Sequence, residues 1–176
     1  GGLARYRGQG LVRHWALQDG LSGDIVMKVI EDRSGRIWAA TYGGVTIIEG
    51  DSVRTITMED GLVQNTVLTV FEDSRGWIWI GTFAGITVIR DGVMSHHTEE
   101  TGLPNPVAYA ISEDGYGFIW VGSNRGLIRI DPFIEAGVPD PRRIKDQLRY
   151  KWYTSDTGLL AEEMNANATH RASDGS

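Results

Sequence analysis

A chain of 176 residues, 41% hydrophobic and 23% charged, has the content for one packed core and too much apolar sequence for disorder. A net charge of -6 at pH 7 argues against nucleic acid or an anionic membrane as partner, since both select basic surfaces. With no cysteine, disulfides, thiol catalysis, Fe–S clusters and Cys-based zinc sites are excluded, and no apolar run approaches the roughly 18 residues of a membrane span.

In chain order, residues 1–18 open on Gly1-Gly2-Leu3, which matches Gly43-Gly44-Val45 further on, and read as the outer strands of a preceding unit. Residues 19–59 then predict four short strands: Val26–Glu31, Arg36–Thr41, Val45–Glu49 and Val53–Met58. Turns at Asp32 to Gly35 and at Gly50-Asp51 separate them, and Asp60-Gly61 ends the set. The pattern returns over 60–100, with a first strand at Val67–Glu72, and over 101–156, with a first strand at Val107–Glu113. The third copy carries an insertion near 132–148, punctuated by Pro132, Pro139 and Pro141 and made locally basic by Arg142, Arg143 and Lys145. It reads as a solvated surface loop or short helix. Residues 157–176 begin a further unit.

Three anchors hold one period. Trp38, Trp79 and Trp120 stand 41 residues apart, and so do Asp19-Gly20-Leu21, Asp60-Gly61-Leu62 and Thr101-Gly102-Leu103. Gly44-Val45, Gly85-Ile86 and Gly126-Leu127 keep the same step. Four strands per period of about 40 to 45 residues is the sequence form of a β-propeller blade. The fold class is therefore all-β, with blades of four antiparallel strands and about 41 residues each. Each indole is large enough to fill the wedge between adjacent sheets, burying on the order of 200 Å². Asp32, Asp73 and Asp114 can accept backbone N–H bonds in their turns, while Gly35, Gly76 and Gly117 can take positive φ. Two accounts of the ends fit: a piece of a larger propeller, or a four-bladed ring whose terminal strands share a blade. The shared blade would lack its second strand, which favours the piece.

The run Asp60-Gly61-Leu62, Asn65, Glu72-Asp73-x-x-Gly76-x-Ile78-Trp79-Ile80-Gly81-Thr82 and Gly85-Ile86 resembles the two-component regulator propeller repeat. Residues Tyr153-Thr154, Thr157-Gly158-Leu159, Glu163-Met164-Asn165 and Ala168 to Gly175 are similar to the closing blade of such propellers. The resemblance implies the periplasmic sensor region of a hybrid histidine kinase, an extracytoplasmic part of an inner-membrane receptor; the lack of cysteine fits that location. It implies as partners a small-molecule or oligosaccharide ligand, the rest of the receptor chain and a second copy in a homodimer.

No site residue follows from the repeat motif itself. Propeller geometry, however, puts the fourth-to-first and second-to-third connections on one face, around the channel mouth. Those connections carry Asp24, Gln64, Asn65 and Asn105, with Ser22 beside them, and then Tyr42, Phe83, Asn124 and Arg125. Aromatic plates beside amides and charges suit a sugar, with its C–H faces and hydroxyls. Turn residues chosen for backbone geometry alone would look the same.

Catalysis has little support. Glu31-Asp32, Glu72-Asp73 and Glu113-Asp114 recur once per blade, whereas a general acid–base pair would be unique. His14, His96, His97 and His170 form no metal-ligand spacing, and no cofactor motif appears, so neither catalytic residue, metal nor cofactor is expected. Asn167-Ala168-Thr169 matches the short glycosylation pattern, which has little meaning in a bacterial periplasm. The rival functions are a propeller lyase or hydrolase of the streptogramin-lyase type, with His170 as its histidine, and a scaffold that binds another protein.

Overall fold

The computed structural model describes residues 1–132 and 150–160. Most of the insertion, with Arg142, Arg143 and Lys145, lies outside them, as do His170, Asn167-Ala168-Thr169 and the rest of the last unit.

Fourteen strands are described, all in antiparallel neighbour pairs. The first sheet pairs β1 (Leu3–Arg7) with β2 (Gly10–Trp15). Three four-stranded sheets follow, each in sequential order. Blade one holds β3 (Val26–Glu31), β4 (Ile37–Thr41), β5 (Gly44–Glu49) and β6 (Ser52–Ile56). Blade two holds β7 (Val67–Glu72), β8 (Ile78–Thr82), β9 (Ile86–Arg90) and β10 (Val93–His97). Blade three holds β11 (Ala110–Glu113), β12 (Ile119–Ser123), β13 (Gly126–Ile130) and β14 (Tyr150–Tyr153), so the insertion falls between its third and fourth strands.

The hydrophobic residues are placed for stacking one sheet upon the next. Trp38, Val45 and Ile47 of blade one share a core with Val67, Val70, Ile78 and Ile80 of blade two. Trp79, Ile86 and Val88 share another with Ile111, Ile119, Val121 and Ile128 of blade three. First strand lies against first strand, β3 on β7 and β7 on β11, which makes these strands the inner edge of the arc. On the second strand, Gly81 leaves room for the next blade: a methyl group there would stand 2.7 Å from the Ala108 carbonyl oxygen.

Two features depart from the strand-only reading. A single 3₁₀ turn closes each outer strand at Leu17–Asp19, Met58–Asp60, Glu99–Thr101 and Ser155–Thr157. The Gly-Leu anchor is its exit: Gly20, Gly61, Gly102 and Gly158 sit at φ of 91°, 110°, 91° and 94°, where a side chain would be strained. Secondly, β11 begins at Ala110 rather than Val107, because the top of the first strand is irregular in every blade; β3 and β7 each shift register there.

The turn between first and second strands is the fastener of the blade. Asp32 Oδ1 accepts the amides of Ser34 and Arg36, while Oδ2 accepts the Trp38 indole N–H at 2.7 Å. Asp73 does the same for Arg75, Trp77 and Trp79, and Asp114 for Tyr116, Phe118 and Trp120. The repeated tryptophan is thus tied to the repeated aspartate of its own blade. Trp38 and Trp79 are buried under the next sheet, whereas Trp120 is half-buried and stacks on Tyr153 at 5.3 Å.

The glutamate beside each aspartate joins neighbouring blades. Glu72 accepts the Arg33 amide of blade one, and Arg33 in turn donates to the carbonyls of Asp73 and Ser74. Glu113 accepts both the amide and the hydroxyl of Ser74, and pairs with Arg75 at 3.1 Å. One end of the arc is therefore a continuous belt of turn-to-turn hydrogen bonds.

This belt has an acid-side signature. Burial pushes the Asp32 carboxyl up, but hydrogen bonds from the Trp38 indole and the Arg36 amide, together with the Arg36 guanidinium, outweigh it and hold the group below the usual carboxylate range. A folded-state pKa below the unfolded one, about 3.9, contributes stability above that value, lost as pH falls through the folded pKa. Urea midpoints between pH 7 and pH 3 should fall toward acid, and Asp32→Asn should flatten that fall while lowering the neutral-pH midpoint.

Candidate functional site

Antiparallel order puts the first-to-second and third-to-fourth turns at one end of every sheet. The second-to-third hairpins and the fourth-to-first connections lie at the other. All eight sequence-predicted ligand residues fall at this second end, away from the belt.

They divide into two groups. Tyr42, in the β4–β5 hairpin, and Phe83, in the β8–β9 hairpin, are 44% and 40% exposed. Asn124 and Arg125, in the β12–β13 hairpin, and Asp24, before β3, are exposed as well. The remaining three are engaged with backbone. Gln64 Oε1 accepts the Phe83 amide at 3.1 Å, which fixes that hairpin. Asn65 Oδ1 accepts the Met58 amide at 2.7 Å and holds the 3₁₀ turn. Asn105 is buried, its Oδ1 accepting the Val107 amide at 3.0 Å. Ser22 is likewise engaged, within 3.0 Å of the hydroxyls of both Thr41 and Thr46.

The hairpins are built alike, and that uniformity makes their tips informative. Thr41, Thr82 and Ser123 each place a buried hydroxyl on the carbonyl of Gly44, Gly85 and Gly126. The same hydroxyls accept the amides of Gly43, Ala84 and Arg125. With the loop geometry fixed this way, the residues at the tip are left to vary, and they do: Tyr42, Phe83 and Asn124.

Two further aromatic residues join this face that the sequence reading passed over. Tyr109, at the irregular top of the first strand of blade three, meets the Phe83 ring edge-on at 6.0 Å and so bridges two blades. Its counterparts one and two periods earlier are Leu68 and Met27, and that break in the repeat was the available signal. Trp152 of β14 is 37% exposed and donates its indole N–H to the Arg125 carbonyl at 3.0 Å, which steadies the third hairpin. The face thus offers aromatic surface from three blades, with Asp24, Asn124 and Arg125 as polar groups. Such a surface can stack on an apolar ring face and hydrogen-bond around it.

The three histidines among the described residues do not assemble. His14 and His96 are exposed on outer strands, and His97 is buried against Trp79, with Nδ1 2.7 Å from the Tyr150 hydroxyl. Among the described residues no group of three His, Asp or Glu is arranged to hold a metal ion.

Comparison with known proteins follows the same lines. The model of the two-component regulator propeller matches residues 20–43, 61–84 and 102–125, one segment per blade. A search of curated proteins finds no match. Among solved structures, the extracellular domain of BT3049 from B. thetaiotaomicron, described as a hybrid two-component system, is similar with a TM-score of 0.76 and 23% identity over 94% of this chain. The extracellular domain of BT4673 from the same organism gives 0.58 at 21% identity over 69% of the chain. Virginiamycin B lyase from Staphylococcus aureus gives 0.51 at 21% identity over 62%. At these identities the likeness is one of fold. The chain spans 22%, 17% and 38% of those three structures. Each matched segment runs from the glycine of a 3₁₀ exit through the Asp–Trp fastener to a hairpin tip, so the chain carries three copies of the two-component regulator propeller repeat.

Proposed function

We propose that this chain is a ligand-sensing segment of the extracytoplasmic propeller of a two-component receptor, located in the periplasm, and that its ligand is an oligosaccharide or similar small molecule. The observation that carries the reading is the asymmetry between the two ends of the blades. At the belt end the geometry of the repeat is consumed by bonds within and between blades, with Tyr116 an isolated exposed ring; at the hairpin end several aromatic and polar side chains that differ between copies face solvent together. Tyr42 and Phe83 occupy equivalent hairpin tips, and with Tyr109 and Trp152 they gather exposed aromatic surface from three blades at this end. Segments of this kind work with the rest of the receptor chain, and a homodimer would carry the signal across the membrane. The segment acts as a binding module and not as an enzyme.

The test is a titration of the intact receptor against a glycan array. The paired substitution Tyr42→Ala with Arg125→Ala should weaken the best-bound glycan at least tenfold while leaving the thermal midpoint within about 2 °C, because both side chains are exposed. Unchanged affinity would remove this face from consideration.

A further inference from the structure

A second recess lies on the inner wall, toward the belt end, and nothing in the hairpin-face reading depends on it. It has a volume of about 350 Å³ and is lined by Lys28, Arg33, Phe71, Glu72, Ser74, Ile111, Ser112 and Glu113. These residues come from the first strands and first turns of all three blades, so the recess exists only when the blades are stacked.

Three of its polar groups have no partner among the described residues. Glu113 is held by Ser74 and Arg75, and the Arg33 guanidinium donates to the carbonyls of Asp73 and Ser74. The Lys28 ammonium, by contrast, makes neither ion pair nor hydrogen bond, and burial alone pulls its pKa below the ordinary lysine value. The Ser112 hydroxyl has no hydrogen-bond partner, and Glu72 uses Oε2 on the Arg33 amide while Oε1 accepts nothing.

Two of the three are departures from the repeat. Lys28 occupies the position filled by Thr69 and Ala110 in the other blades. Ser112 occupies the position filled by Ile30 and Phe71. Folding does not ask for either residue there. A half-buried ammonium that forms no ion pair is a cost to the fold, and a serine hydroxyl stands where the other two blades place an apolar side chain. Two such exceptions in one recess are accounted for by something that enters it.

We infer that this recess binds a monoanionic, hydroxyl-bearing ring of the sugar-acid class, with its carboxylate on Lys28. Lys28 and Arg33 stand against Glu72, with Glu113 offset by Arg75, so the recess carries one net positive charge and matches a single negative charge better than a dianionic phosphate. The unused Glu72 Oε1 and the Ser112 hydroxyl suit ring hydroxyls, the first as acceptor and the second as either donor or acceptor. Phe71 and Ile111 supply apolar surface for the C–H face. The volume sits at the small end of the roughly 300–1,000 Å³ range of ligand pockets, which fits one ring and not an extended chain.

The probes are methyl β-D-glucuronide and methyl β-D-glucoside, titrated calorimetrically into the full chain and into Lys28→Met and Lys28→Arg. Methionine keeps the length of the side chain and removes the buried charge, so this variant should melt no lower than the parent. The expected result is glucuronide binding that prefers the acid at least tenfold over the glucoside, is lost at least tenfold in Lys28→Met and is partly kept in Lys28→Arg. The Lys28 ammonium pKa, followed by NMR, should rise when glucuronide is added. Absence of glucuronide binding to the parent chain, equal binding of the two glycosides, or undiminished binding by Lys28→Met would each overturn the assignment. Because Tyr42 and Arg125 lie at the opposite end, their substitution leaves these titrations unchanged, and the two sites fail or stand separately.

Discussion

Asp73→Ala is expected to destabilise the chain by about 3–5 kcal/mol, the range for removing one partner from a buried, charged hydrogen-bond network. Asp73 is completely buried, and its carboxylate accepts the amides of Arg75 and Trp77, the Arg75 guanidinium and the Trp79 indole. Alanine leaves the two amides and the indole without acceptors and takes one carboxylate from Arg75, which keeps Glu113 and the Gly117 carbonyl. Asp73→Asn should be milder, because one oxygen can still take the two amides while the new NH₂ faces the indole N–H. Urea denaturation gives the comparison directly: the midpoint should drop steeply for alanine with little change in slope. A drop below about 1 kcal/mol would mean that water replaces the carboxylate without loss.

Trp79→Ala should cost a similar amount, about 3–5 kcal/mol, through a cavity and lost burial. The ring is inaccessible to solvent, packs with Ile111, Ile119 and Val121 of the next blade, and stacks on His97 at 5.7 Å. Trp79→Phe separates the two roles of the indole: it retains most of the apolar contact and removes only the donor to Asp73, so about 1–3 kcal/mol is expected. Combined with Asp73→Ala, Trp79→Phe should be clearly sub-additive, because both changes break the same bond. Trp120→Ala should cost less than Trp79→Ala, since that ring is already half in solvent.

How much of this could be read from the chain follows from what a repeat displays. A 41-residue period with an indole, an aspartate turn and a glycine hairpin in each copy specifies four-stranded blades, and the strands fall within a few residues of their expected bounds. Bond partners are another matter. The Asp73–Trp79 bond joins residues six apart across a tight turn, and spacing alone does not say that the indole points back. The bond from Ser74 to Glu113 joins residues 39 apart in different blades, so Glu113 looked like a neighbour of Asp114 rather than a clasp on the preceding turn. The 3₁₀ turns are three residues long, too short to show helical periodicity.

The candidate sites were legible where a connection between strands puts a side chain at a hairpin tip. Tyr42 and Phe83 stood out because large rings at hairpin tips are conspicuous. Asn65 and Asn105 looked equally suitable, yet both carbonyls face backbone amides, as asparagine in turns commonly does. Tyr109, Lys28 and Ser112 lie on or beside first strands, where the sequence does not show which side chains meet across blades. Their columns, with Leu68, Thr69 and Phe71 in blade two, hold the exceptions that folding does not require.

The central claim is that every blade is fastened by its own aspartate to its own indole and then sealed by the next sheet. Hydrogen exchange of the six indole N–H groups, followed by NMR, addresses it in a single spectrum. Trp38 and Trp79 should exchange slowest and Trp120 next, with the exposed Trp152 fast, and Asp73→Ala should speed Trp79 selectively. Indoles of Trp38 and Trp79 that exchange as fast as that of Trp152 would contradict the account.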